Sequence, residues 1–121
     1  MIFPQDAFEE LMGRLGISNY TTVVVYDIQG GFMCNRMWWA LRYYGHDSVK
    51  ILDGDLLKWM LEGRFLEAGK VTSTLTTFQA HVRPELIATN EVIKAAIQDP
   101  NIHIIDALPE EYYGGCANVI R

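Results

Sequence analysis

The sequence predicts an α/β protein in which a parallel sheet carries flanking helices, and three observations lead there. Thr21 to Tyr26 is a β-branched run without polar alternation, the pattern of a strand covered on both faces. Gly30-Gly31 then opens a loop into an apolar-periodic stretch from about Cys34 to Tyr44, which Gly45 closes. A second strand, Ser48 to Leu52, follows within a few residues, so the three segments form a βαβ crossover.

The remaining elements follow in order. Phe8, Leu11, Met12 and Leu15 fall at helical spacing after Pro4 and Asp6, and Gly16 supplies a left-handed stop, so a surface helix runs from about Asp6 to Leu15. Asp53-Gly54 turns the chain after the second strand. Leu56, Leu57, Trp59, Met60 and Leu61 make a short apolar helix that Gly63 ends, with Lys58, Glu62 and Arg64 on its wet side. From Phe65 to Pro84 helical periodicity disappears and threonine dominates, and about 20 residues without an element reads as a connection between domains. Beyond it, Thr89 caps a helix carrying Val92, Ile93, Ala96 and Ile97, and Ile102 to Ile105 reads as another buried strand ending at Asp106. The tail from Gly114 has neither a helical period nor a full strand. Aromatic side chains beside apolar neighbours usually fill the interior, which places Trp38, Trp39 and Trp59 in the core.

Composition narrows the function. The chain has 121 residues, half of them hydrophobic, enough for one compact domain or parts of two. A formal charge of −5 repels phosphate backbones and anionic lipid, which disfavours nucleic-acid and membrane partners. No apolar run reaches the length of a membrane span, and the first residues lack signal-peptide character, so the expectation is a cytoplasmic protein. Cys34 and Cys116 are far apart, and His46, His81 and His103 are scattered, which indicates neither a metal site nor a disulfide framework nor a bound cofactor.

Val23-Val24-Val25-Tyr26-Asp27, then Gly30-Gly31, then Arg36-Met37-Trp38-Trp39-Ala40-Leu41-Arg42-Tyr43-Tyr44-Gly45-His46 resemble the non-catalytic first domain of two-domain rhodaneses. Arg83-Pro84-Glu85-Leu86 is similar to the linker of thiosulfate and 3-mercaptopyruvate sulfurtransferases, and Ile104-Ile105-Asp106-Ala107 to the opening strand of their second domain. The resemblance implies a rhodanese-like but incomplete sheet. Residues 1–66 would be the later part of a first domain, 67–88 a linker and 89–121 the start of a second domain. It also implies transfer of sulfane sulfur from small sulfur-containing anions, thiosulfate or 3-mercaptopyruvate, to a thiol or cyanide through a cysteine persulfide.

The resemblance also locates what this chain lacks. The sulfur-carrying cysteine of the family ends a buried strand, and Asp27 stands at that position. A carboxylate forms no persulfide and repels anionic substrates. The working cysteine loop of the second domain would lie beyond Asp106, and Leu108 stands where relatives carry an arginine. The chain by itself is therefore expected to be inactive, whether or not the whole protein is an enzyme. The rival is a binding or structural module whose sheet another chain completes, making the folded form an oligomer or part of an assembly. A third alternative is a thiol redox sensor at Cys34, in the first turn of the Trp38-Trp39 helix, set against a buried packing role for the same residue. Gly30, Gly31 and Arg36 are the candidate substrate contacts, with Arg42 and His46 nearby and the arginines open to pairing with Asp27 or Asp53. Cys116 is a weaker thiol candidate, and His103 reads as a core histidine.

Overall fold

The structure, a computed structural model, describes residues 2–108 and 110–113. The chain divides into two compact units, one extending to Leu86 and one beginning at Ile87.

The first unit starts with helix α1, Gln5–Arg14, in which Pro4 precedes the first turn and Asp6 complements the helix dipole. Strand β1, Val23–Val25, leads through a loop to helix α2, Phe32–Tyr43, and then to strand β2, Val49–Ile51. The strands pair in parallel with Val23 opposite Val49, Val24 opposite Lys50 and Val25 opposite Ile51, as the βαβ pattern predicts. Helix α3, Asp55–Leu61, follows directly.

The core lies where α1, α2 and the sheet meet. Phe8, Met12, Leu41, Tyr44 and Val49 bury together with Phe78 and Ala80 from far along the chain. Phe8 stacks on Tyr44 with ring centroids 3.9 Å apart and meets Phe78 edge-on at 5.8 Å. These three rings fill the space that the sequence assigns to tryptophan. Trp38 is instead 36% exposed with the Arg42 guanidinium 5.8 Å from its ring, and Trp59 stands half-buried beneath Arg64. Trp39 is half-buried against Tyr43.

The threonine-rich segment lacks secondary structure, and its last part forms a belt across α1 and α2. Thr76 and Gly13 approach so closely that the Thr76 N–H donates to the Gly13 carbonyl at 3.1 Å, and a Cβ on Gly13 would stand 2.6 Å from the Thr76 oxygen. Asn19 and the Gln79 backbone exchange two hydrogen bonds, the Ala80 N–H donates to Glu9, and the His81 N–H donates to the Tyr44 carbonyl. Arg83 then grips Asp47 with two bonds of 2.7 Å, and Arg42 meets the same carboxylate at 2.7 Å. A 3₁₀ turn, Pro84–Leu86, ends the unit.

The second unit holds helix α4, Asn90–Ala96, and the short helix α5, Glu110–Tyr113. Thr89 caps α4 by accepting from the Val92 N–H, as the sequence predicts. The strand expected at Ile102 to Ile105 does not form: these residues have no ladder partner among the described residues, and Ile105 is 86% exposed. His103 is accordingly exposed rather than a core residue. The first strand also differs from expectation, because it is three residues long and only one of its faces is covered. Among the described residues only β1 and β2 pair, so both runs have few strands to pair with.

Candidate functional site

The candidate site forms where β1 ends and α2 begins. A parallel strand delivers its last residues to the sheet's carboxyl edge, where the following helix presents unpaired N–H groups. Gly30 and Gly31 take left-handed φ values of 70° and 100°, and Gly31 occupies the N-cap of α2 without a side chain to satisfy that turn. The acceptor comes from Asp27. Its Oδ1 receives the N–H of Gln29 at 2.9 Å and of Gly31 at 3.0 Å, while its Oδ2 receives the N–H of Met33 at 2.9 Å and of Cys34 at 3.0 Å.

One carboxylate thus gathers four backbone amides of the loop and the first turn of α2. The Cys34 N–H, followed by those of Gln29 and Gly31, holds the Asp27 carboxyl far below the usual carboxylate range. The carboxylate form of Asp27 is thereby favoured, and its negative charge fills the place where another anion would dock.

Cys34 is buried, and its Sγ donates to the Gly31 carbonyl at 3.5 Å. Burial pushes its thiol pKa up, and the Asp27 charge pushes it further in the same direction. The helix N-terminus would favour a thiolate, but the nearby carboxylate outweighs it.

Gly30, Gly31 and Cys34 line a shallow depression of about 300 Å³ with Asp53, Gly54 and Asp55. Gly54 and Asp55 extend the site beyond the residues the sequence singled out, and the Asp53-Gly54 turn was their only signal. Gly54 and Asp55 both have positive φ, 75° and 56°, and Asp55 steadies that turn by accepting the Leu57 N–H. Asp53 pairs with Lys58 at 2.5 Å, which lowers its pKa.

Arg36 is found elsewhere, lining a separate apolar cleft between α1 and α2, beside Phe8, Met33 and Met37. Arg42 turns to Asp47, away from both Asp27 and Asp53. His46 is 2% exposed against Phe78, its Nε2 without a partner, and takes no part in the site. Cys116 lies outside the described residues. Among the described residues no cluster of three or more His, Cys, Asp or Glu could hold a metal ion, and no helix is long and apolar enough to cross a membrane.

Comparison with known proteins agrees with this architecture. The rhodanese-like domain pattern matches residues 3–62. Human 3-mercaptopyruvate sulfurtransferase is 36% identical over 104 residues, covering 84% of this chain and 35% of the relative. Thiosulfate/3-mercaptopyruvate sulfurtransferase 2 of Arabidopsis thaliana is 33% identical over 138 residues, covering 97% of this chain and 40% of the relative. The crystal structure of a 3-mercaptopyruvate sulfurtransferase from Escherichia coli superposes with a TM-score of 0.82 at 30% identity, over 95% of this chain and 44% of that one. The chain therefore spans between about a third and under half of the length of these relatives. With its βαβ unit, its strand-end loop and these likenesses all in agreement, the chain belongs to the rhodanese family.

Proposed function

We propose that this chain is a non-catalytic rhodanese-like unit of a protein that transfers sulfane sulfur, with thiosulfate or 3-mercaptopyruvate as the donor class. One observation carries the proposal: the Asp27 carboxylate consumes the four amides that a sulfur-carrying thiolate would need at the strand end. Sulfur transfer needs a thiolate to attack the sulfane sulfur and hold it as a persulfide, and Asp27 can do neither. Cys34 does not replace it, because it is buried and its thiol is held protonated. The same two facts count against a redox sensor, which needs a low-pKa accessible thiol.

Residues 89–121 would open a second rhodanese-like unit, after a linker over 67–88. Another polypeptide strand completes the two-stranded sheet, since parallel sheets of this kind are normally covered and extended.

The test is incubation of residues 1–121 with thiosulfate and cyanide, with thiocyanate and intact protein mass as readouts. The expected result is thiocyanate at the uncatalysed background and no gain of a sulfur atom. Turnover that Cys34→Ala abolishes would overturn the non-catalytic assignment.

A further inference from the structure

We propose that residues 80–86, the far half of the belt, form an acid-released strap, which leaves α1 and α2 on acidification while the near half of the belt and the βαβ unit stay folded.

The belt is fastened differently along its length. Its near half is held by groups without charge. The Ser73 hydroxyl donates to the Arg14 carbonyl at 2.7 Å, the Thr76 N–H to the Gly13 carbonyl, and Asn19 takes both backbone groups of Gln79. Phe78, 3% exposed, anchors this half in the core.

The far half is held by two carboxylates. Glu9 Oε1 receives the Ala80 N–H at 2.9 Å and Gln5 Nε2 at 3.1 Å, and Gln5 Nε2 also reaches the Ala80 carbonyl at 3.4 Å. Asp47 receives Nη1 and Nη2 of Arg83 and Nη1 of Arg42, each at 2.7 Å. The other fastenings are the N–H groups of His81 and Arg83, which donate to the Tyr44 and Tyr43 carbonyls at the end of α2 at 2.9 and 2.8 Å. Ala80 adds only a methyl group to the core.

Hydrogen bonds to an ionised acceptor are about twice as strong as neutral ones, so protonation weakens both clasps. At Asp47 it also leaves the Arg42 and Arg83 guanidinium groups side by side without the charge that separates them. With the strap docked, the Ala80 N–H holds the Glu9 carboxyl below its ordinary value, and the Arg83 side chain does the same for Asp47. The other charged groups facing Glu9 are Asp6 on α1, which opposes its charge, and His81 on the belt, which favours it. Those facing Asp47 are Arg42 and His46, which favour its charge, while Glu85 acts on Arg83. Docking therefore gains from both charges above the ordinary carboxylate range and loses that gain as pH falls through it. Asp27 is held much further down by its four amides, so the loop ahead of α2 keeps its bonds over the same range. Release is confined to the strap, which ends where the first unit ends, at Leu86.

The test is hydrogen exchange of residues 1–121 at about pH 6 and about pH 3.5, corrected for the intrinsic rate at each pH. The chains compared are the native one, Glu9→Gln, Asp47→Asn and the double variant. In the native chain, protection at Ala80, His81 and Arg83 should fall at least about tenfold between the two conditions, while Thr76 and Gly31 change by less than about threefold. In the double variant the three strap amides should exchange fast already at the higher pH and show no further step. If the double variant loses its helical circular dichroism, the single variants decide, and each should remove part of the step. Strap amides that keep their protection in acid overturn the proposal. So does an equal loss at Thr76 and Gly31, which is unfolding of the whole unit, and so does a step that the variants leave undiminished.

Discussion

Two stretches of this chain read almost alike and behave differently. Val23-Val24-Val25-Tyr26-Asp27 and Ile102-His103-Ile104-Ile105-Asp106 are both apolar runs that stop at an aspartate. The first makes a strand, and its aspartate collects four amides. The second makes no strand, and its aspartate accepts a bond from the Leu108 N–H two residues on. Intrinsic preference is therefore not what separates them. The first run has β2 to complete its ladder and α2 to cover one face, whereas the second has neither among the described residues. A strand pattern states a capacity for pairing, and tertiary context decides whether it is used.

The contrast can be broken most severely at the core that supports the first run. Leu41 on α2 is fully buried, so Leu41→Ala should cost about 2–5 kcal/mol in denaturant unfolding, through lost burial and a residual cavity. Val23 and Val25 pack against that same cluster, so their amides should lose hydrogen-exchange protection together with it.

Asp27→Asn should have the next largest effect, because it removes the charge from an acceptor of four amides. Hydrogen exchange at Gln29, Gly31, Met33 and Cys34 should accelerate, and alkylation of Cys34 should quicken at neutral pH once the neighbouring charge is gone. The pH dependence has a definite sign. The folded carboxyl titrates below its unfolded value, so its stabilisation is fully present above pH of about 4 and is lost as pH falls toward the folded value. The stability gap between the native chain and Asp27→Asn should therefore be largest near neutrality and shrink below about pH 4. A gap independent of pH would show that the amides, not the charge, set the effect.

Thr89→Ala sharpens the comparison from the second unit, where it removes the α4 cap. It should lower the stability of that unit by about 0.5–1 kcal/mol, read as lost helical circular dichroism on heating. The smallest effect belongs to Ile105→Ala, which should lie within about 0.5 kcal/mol of the native chain in the same measurement because the side chain is already in water. A large loss there would mean that the second run pairs after all.

Much of the first unit was legible in the sequence. Glycines and apolar periodicity located α1, α2 and α3 to within about two residues at each end, since caps and stops are local signals. Asp27 was visible as a strand-end residue. Its grip on the amides was not, because it depends on the left-handed turns at Gly30 and Gly31 bringing four separate N–H groups to one point. Phe78 and Ala80 were hidden for a different reason. Their segment is held by backbone and polar bonds to α1 and α2, which leave no period in the sequence, so it read as a connection. The tryptophans were misplaced because size and hydrophobicity do not say which aromatic reaches the interior first.

The belt that brings Phe78 into the core also bears on how the protein comes to be folded. Its bonds join residues 60, 71 and 75 positions apart, while the helices and the βαβ unit close over much shorter distances. Bringing such distant partners together costs chain entropy before any contact compensates it, so the belt is expected to dock after the βαβ unit has closed. At Gly45, where a side chain would strike the His81 backbone at 2.7 Å, the belt meets the end of α2. Phe78 lies edge-on to Phe8, so a chain cut before the belt is expected to leave Phe8 and Tyr44 more exposed and to aggregate more readily than the native chain.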